Sequence, residues 1–418
     1  MAAIEPKELL DRVRGVLPQA VELRRRLHRM PEVGLQERRT AELLRATLAA
    51  AGVELLPPYM ETDVTGLLRG RAPASLPGRS PTWMSAFAPG RTPPRCVLLR
   101  ADIDALPVQE KRERPWKSEV AGCAHACGHD GHMAMLAGAA TVLAGLTERF
   151  TGAVRFVFQP GEEEYGGGLS LIERGLLAAE PRPQAAFALH GWPGLPEGVL
   201  AAIAGPAMAA ADTFAITVKG RGGHGARPHT AIDPVVTAAQ LILSLQTIVS
   251  RNVDPAEPAV LSVCTIRGGS ATNVIPDQVS LQGTVRYFEP DLKHLLKTRM
   301  EEVVRGVCDA AGAEFDLVYR DGYIPVVNEP GQVRFARETI EAYLGPQAWS
   351  ERLGRTMGAE DFAFYLQKVP GALLMLGLGE GWPNLHNPEF DFNDRVLENG
   401  ILAHCALALE TLANARAA

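Results

Sequence analysis

Ala153-Val154-Arg155-Phe156-Val157-Phe158-Gln159-Pro160-Gly161-Glu162-Glu163-Glu164 is the stretch on which the reading of this chain turns. Ala153 to Phe158 is a near-continuous apolar run, as a strand buried on both faces of a parallel sheet requires. Pro160-Gly161 ends the run, so the three glutamates fall on a turn at the carboxyl end of the strand. Open α/β sheets keep their chemistry at that edge. A solvated acidic turn is the ordinary account of three successive glutamates, and position lifts these above it. About thirty residues upstream, Ala126-Cys127-Gly128-His129-Asp130-Gly131-His132 sets a thiol and imidazoles on a second glycine-punctuated turn. An Ala/Leu-rich helix is predicted to follow over Met133 to Leu146.

Outward from these turns, Gly66 to Gly70, Cys96 to Ala101 and Gln184 to Leu189 read as strands, the last ending at His190. Leu169 to Ala179 reads as helix, and Pro18 to Ala51 as two helices broken at Met30 to Gly34. The alternation predicts an α/β domain with a mostly parallel sheet flanked on both faces. Arg71 to Arg95, rich in Pro, Gly, Ser and Arg, reads as a loop or hairpin tip, with a lid as the functional alternative. From Asp212 the order becomes strand Thr213–Lys219, helix Asp233–Ser250, strands Ala259–Arg267 and Gln278–Phe288, helix Pro290–Gly312 and strand Glu314–Arg320. That βαββαβ order predicts an inserted ferredoxin-like domain for dimerisation or closure, with boundaries 1–211, 212–321 and 322–418. Helices near 330–344 and 359–367, the strand Ala372–Gly377 and a last helix from Arg395 complete the first domain.

Composition narrows the class. At 418 residues, 46% hydrophobic and 22% charged, the chain reads as a soluble globular protein of two domains. A net charge of -6, no basic run and 6% aromatic residues argue against nucleic acid as a partner. The charged N-terminus lacks the apolar core of a secretory signal, and no run of about 18 uninterrupted apolar residues suggests a membrane span. Six cysteines, at 96, 123, 127, 264, 308 and 405, are too sparse for a disulfide scaffold. The expectation is a reducing cytoplasm, which keeps Cys127 available as a thiolate.

Cysteine, histidine and glutamate together suit a borderline divalent cation: zinc, manganese, cobalt or nickel. Of two adjacent carboxylates, one can ligate and the other accept a proton. His190 at a strand end and His386, in Asn384-Leu385-His386-Asn387-Pro388 after an apolar run, would be unremarkable alone. A structural zinc knuckle from Cys123, His125, Cys127 and His129 is a competing reading, but such sites separate their ligand pairs by about a dozen residues or more. Donors at successive strand ends would instead hold two metals, about 3.5–4 Å apart in co-catalytic hydrolases.

The segments RRRLHRMPEVGLQE, LLRADIDALPVQE, GCAHACGHDGHMAML, FVFQPGEEEYGGG, ALHGWP, KGRGGHGARPH, TNVIPD, GTVR, MGAEDFAFY and LHNPEFDFND run in order from residue 24 to 394. In them the chain resembles the hippurate hydrolase and auxin-conjugate amidohydrolase branch of the aminoacylase and carboxypeptidase metallo-hydrolase superfamily. The resemblance implies Cys127, His129, Glu163, His190 and His386 as ligands of two divalent metals. It implies Glu162 as general acid/base, and His224 as a group that reaches the reacting carbonyl, in relatives often from the partner subunit. Asn273 and Arg286 match positions that hold a substrate carboxylate, and Asp104 one whose carboxylate orients a ligand histidine. The implied activity is hydrolysis of N-acyl-amino acids by a metal-activated water, in a homodimer or dimer-based oligomer. A dipeptidase or carboxypeptidase and an N-acetyl-amino-acid deacetylase share this machinery; a non-catalytic binder of acylated amino acids is the alternative from another class. The Arg71–Arg95 insertion is longer than the branch pattern leads one to expect.

Overall fold

The computed structural model describes residues 4–71, 95–164 and 166–413, so the expected loop between Arg71 and Arg95 lies outside the described residues except for its two ends. Contacts gather Met1–Gly205, Val327–Gly354 and Asp361–Ala418 into one compact unit, and Pro206–Val326 with Arg355–Glu360 into another.

The first unit is built on a seven-stranded sheet in the order Glu54–Leu55, Val64–Arg69, Ala153–Gln159, Cys96–Asp102, Ala185–Pro193, Gly371–Gly379, Leu200–Ala201. The four strands from Ala153–Gln159 to Gly371–Gly379 are parallel, and the outer ones antiparallel. Cys96–Asp102 and Ala153–Gln159 are buried along their whole length, which is why they read as apolar runs. The charge of Arg155 survives there because its guanidinium donates to the carbonyls of Leu176, Ala179 and Pro181. Helices Pro6–Arg29 and Leu397–Ala413 pack on His129–Ala144. The segment Asp394–Ala413 is long and apolar enough to cross a membrane, but it is 78% buried in this unit as a core helix.

Three helices differ from expectation. The first begins at Pro6 and carries Pro18 inside it. The helix expected to reach Ala179 ends at Glu173 and continues as turns. The one expected over 359–367 shrinks to Ala363–Leu366. Its start is displaced because the Asp361 carboxylate is drawn into the sheet, accepting from Arg100 Nη2, Gln159 Nε2 and the Gly168 N–H, each at 2.8 Å. A third buried arginine ties the first helix to the segment before the last one. Arg24, fully buried, lies 3.2 Å from Asp130 and 3.3 Å from Asp394, pairs with Asp391, and donates to the Phe392 carbonyl at 2.7 Å.

The second unit has a four-stranded antiparallel sheet in the order Ala259–Gly268, Gln278–Tyr287, Ala210–Lys219, Glu314–Tyr323. Helices Pro234–Asn252 and Pro290–Ala311 complete a ferredoxin-like βαββαβ unit. Its core joins Phe214, Ile216 and Val218 to Leu241, Leu245, Leu296 and Met300. The Asp212 carboxylate accepts from Tyr287 Oη at 2.9 Å and from Tyr319 Oη and the Gly322 N–H at 2.8 Å, fastening the central strand to its neighbours.

Candidate active site

The donors of the first unit converge on the carboxyl ends of its parallel strands. Asp104 follows Cys96–Asp102, Glu162 and Glu163 follow Ala153–Gln159, and His190 lies near the end of Ala185–Pro193. Cys127 and His129 flank Gly128, whose φ of 91° is left-handed and costs a glycine little. His386 is also left-handed, at φ 64°, which an ordinary side chain adopts only under restraint. The restraint is its own N–H, which donates to the Ala126 carbonyl at 2.7 Å and holds the ring beside the Cys127 turn.

Hydrogen bonds choose the histidine tautomers. His129 Nδ1–H donates to the Asp104 carbonyl at 2.8 Å, and His190 Nδ1–H to the Gly191 carbonyl at 2.9 Å. Each ring thereby turns its Nε2 toward the other donors. That of His190 lies 3.6 Å from Cys127 Sγ. That of His129 is buried without a hydrogen bond, 3.8 Å from Glu163 Oε1, and this oxygen is also buried without one. The same oxygen is 3.3 Å from His386 Nε2. Ligand atoms of Cys127, His129 and His190 lie within 4.8 Å of one another, as do those of Cys127, Glu163 and His386, and those of His129, Glu162 and Glu163.

A buried imidazole nitrogen and a carboxylate oxygen face each other with no hydrogen bond to either among the described residues, which calls for positive charge between them, carried by a proton on His129 or by a metal ion. The N, S and O donors fit a borderline divalent metal. Cys127, His129 and Glu163 each belong to two of these triads, so the donors form one connected cluster.

The electrostatics agree. Burial, then Glu163, Glu162 and Asp102, push the Cys127 thiol well above its usual range, so its thiolate needs a compensating cation. A reducing compartment alone does not make it one. Burial opposes a charge on His129, yet Asp102 and Asp104 outweigh it and raise the ring to about 10, so without an ion Nε2 holds a proton that a bound metal would displace. Burial and the neighbouring His132 push His190 down to about 3, leaving it neutral. Burial opposes ionisation of Glu163, but His386 and His129 prevail and lower it.

Asp104 works differently from expectation. Its backbone carbonyl, not its carboxylate, takes the His129 proton; carboxylate Oδ2 instead accepts the Glu163 N–H at 2.9 Å, with Oδ1 3.4 Å from His129 Nδ1. The zinc knuckle does not form: among the described residues no donor cluster contains Cys123 or His125. The sequence reading missed the supports beneath the site. His132 spends both nitrogens, donating to Asp102 Oδ1 at 2.7 Å and accepting the Gly191 N–H at 2.8 Å, so it braces the His190 strand and is not free to ligate. Arg100 Nη1 donates to Asp102 Oδ2 at 2.7 Å and Nε to Gln159 at 3.0 Å. The available signal was an arginine in the middle of a wholly apolar strand, which must be paired if buried.

Three candidates belong to the second unit. His224 and Asn273 adjoin through the two-stranded ribbon of Gly223–His224 and Val274–Ile275, where Gly225 N–H donates to the Asn273 carbonyl at 2.8 Å. His224 Nδ1 accepts the Ala226 N–H at 3.1 Å, so its exposed Nε2 carries the proton. Arg286 is half-buried on Gln278–Tyr287; burial lowers its guanidinium, opposed by Asp212, whose carboxylate is already committed to the tyrosines.

The pattern of the Peptidase family M20/M25/M40 matches residues 98–410. Thermostable carboxypeptidase 1 of Saccharolobus solfataricus is 35% identical over 97% of this chain and 98% of its own length. Identity is likewise 35% to an N-acetylcysteine deacetylase of Bacillus subtilis, over 90% of this chain and 92% of that relative. It is 35% again to the IAA-amino acid hydrolase ILR1-like 2 of Arabidopsis thaliana, over 94% and 85%. Among solved structures, a dinuclear metal binding peptidase of the M20 family from Bacillus subtilis superposes with a TM-score of 0.79, at 30% identity over 96% of this chain and 99% of that one.

The geometry separates the two glutamates. Glu163→Gln and Cys127→Ser are each expected to lose bound metal, measured by elemental analysis after gel filtration, whereas Glu162→Gln keeps nearly the wild-type content. Equal retention by Glu162→Gln and Glu163→Gln would contradict the assignment.

Proposed function

The chain belongs to the peptidase family M20/M25/M40, and from that membership we propose that it hydrolyses N-acyl-amino acids, with aryl-acyl conjugates such as hippurate as the preferred class. Membership makes it a metal-dependent hydrolase of amide bonds; the substrate is our own reading. What carries the chemistry is the convergence of Cys127, His129, Glu163, His190 and His386 around His129 Nε2 and Glu163 Oε1, with Glu162 beside them. The resemblance to an IAA-amino acid hydrolase and to an N-acetylcysteine deacetylase supports an acylated amino acid as substrate.

Two divalent ions held by the five ligands would supply Lewis acidity, acidifying water and polarising the scissile carbonyl. Glu162 removes a proton from the attacking water and returns it to the departing amine. Burial at 5% exposure keeps bulk water from competing for that proton. His224, protonated on Nε2, donates to the carbonyl oxygen as charge develops, a kind of contact worth about 2.7–4 kcal/mol in other hydrolases. Arg286 suits the substrate carboxylate because its planar fork binds bidentately, and Asn273 supplies amide donors. The carboxypeptidase relative favours a second reading, in which the same carboxylate is the C-terminus of a peptide.

We also propose that the protein pairs through its second unit. Helix Pro234–Asn252 carries no charged residue before Arg251 and exposes Val235, Val236 and Leu243, the last at 72%. It packs on Ala259–Gly268, an edge strand of its sheet, so an apolar face and an unpaired edge lie together.

Two measurements check these readings. With each of several metals, kcat/KM is expected to be higher for N-benzoyl- and indoleacetyl-amino acids than for N-acetyl-amino acids or dipeptides, and Glu162→Gln is expected to abolish turnover. A preference for dipeptides would favour the carboxypeptidase reading. Sedimentation is expected to show a dimer, and mixing His224→Ala with Glu162→Gln subunits to restore activity in mixed dimers. A monomer, or mixed dimers without recovery, would refute His224 acting across subunits.

A further inference from the structure

The segment Glu32-Val33-Gly34-Leu35-Gln36-Glu37 has no part in the chemistry above, yet it touches the Glu162 turn and the turn after Cys96–Asp102 that supports His129. Two of its acids lie at the start of helix Arg38–Ala50 and divide their tasks. The Glu32 carboxylate serves the helix, accepting from the N–H of Arg39 at 3.2 Å, the N–H of Thr40 at 2.8 Å and Thr40 Oγ1 at 2.9 Å. Glu37 occupies the capping position itself but makes no side-chain bond to its own helix. Its fully buried carboxylate accepts the Gly161 N–H on Oε1 at 3.0 Å and Thr62 Oγ1–H on Oε2 at 2.8 Å. Gly161 immediately precedes Glu162 and has a left-handed φ of 64°. Between the two acids, Leu35 takes φ 62°, unusual for a leucine.

The same segment grips the other turn. The Ala105 N–H donates to the Glu32 carbonyl at 2.8 Å, and Val33 forms a parallel bridge to Ala105. Ala105 adjoins Asp104, whose carbonyl fixes the His129 tautomer.

We propose that Glu37 is a positioning residue that sets the backbone of the Glu162 turn, with residues 32–37 as the strap that aligns it to the His129 support. The inference rests on Glu162 being the general acid/base. As a device for stability alone Glu37 is a poor choice, since burial raises its carboxyl to about 7 and a buried acid is costly to keep ionised. One of its hydrogen bonds fixes the Gly161 backbone, the other ties it to the Thr62 hydroxyl, and its own helix is left to Glu32.

The test uses the full-length, metal-loaded protein at a pH well above that raised value. Glu37→Ala is expected to lower kcat by about tenfold to a hundredfold, with KM and bound metal unchanged. Glu37→Gln is expected to recover part of the loss, because its amide oxygen can still accept the Gly161 N–H. Thr40→Val, which weakens the helix cap, is expected to lower Tm and leave kcat alone. A Glu37→Ala kcat within about twofold of wild type, a rise in KM alone, or an equal loss of kcat in Thr40→Val would overturn the proposal. Should Glu37→Ala not fold, Glu37→Asp, one methylene too short, is judged by the same criteria. Glu162→Gln is assayed alongside: if it stays active, the reading of Glu162 fails, whereas its inactivity beside fully active Glu37 variants refutes only the strap.

Discussion

A polar atom buried without a hydrogen bond is costly, and this protein buries two of them face to face. His129 Nε2 and Glu163 Oε1 stand 3.8 Å apart with no hydrogen bond to either. Much of the surrounding architecture serves to keep them so. The Asp104 carbonyl turns His129 so that its Nε2 points inward, and the Asp104 carboxylate holds the Glu163 backbone. The Gly191 carbonyl does for His190 what Asp104 does for His129. Cys127, pressed toward the neutral thiol by burial and three carboxylates, becomes a good ligand only where positive charge is supplied. A divalent cation resolves all of these costs together.

Beneath the donors lies a second layer in which each charge has a partner. Arg100 joins Asp102, Gln159 and Asp361, Asp102 joins His132, and His132 joins the backbone of the His190 strand. Arg24 gathers Asp130, beside His129, with Asp391 and Asp394 near the C-terminal helix. Buried ion pairs of this kind contribute little net stability, because desolvation offsets the Coulomb gain. Their value lies in geometry: each fixes a backbone segment that carries a donor, and the parallel sheet sets the donors side by side.

Much of this was legible in the sequence. The apolar runs at Ala153–Phe158 and Gln184–Leu189 announced strands buried on both faces, and the βαββαβ order after Asp212 announced the smaller domain. Residue types at strand ends pointed to the metal. What one dimension hides is which atom meets which. Whether His129 turns to the Asp104 carboxylate or to its carbonyl depends on a backbone direction that no motif spells out. Asp361 sits in a helix-like pattern, yet hydrogen bonds to Arg100, Gln159 and Gly168 hold it back from the helix. Glu37 reads as an ordinary helix-start acid, and only the fold reveals that Glu32 has taken over that task. His224 and Asn273, separated by nearly fifty residues, meet through a ribbon too short to leave a periodic signal.

The central proposal is that Cys127 is a thiolate ligand in a site for two ions. Cobalt(II) titrated into metal-free protein tests it directly, because a cobalt–thiolate bond gives an intense near-ultraviolet charge-transfer absorption that oxygen and nitrogen ligands lack. The account predicts that this absorption appears on titration, that binding saturates at two equivalents per chain, and that Cys127→Ser abolishes it. Saturation at two equivalents without that absorption, or its persistence in Cys127→Ser, would contradict the claim.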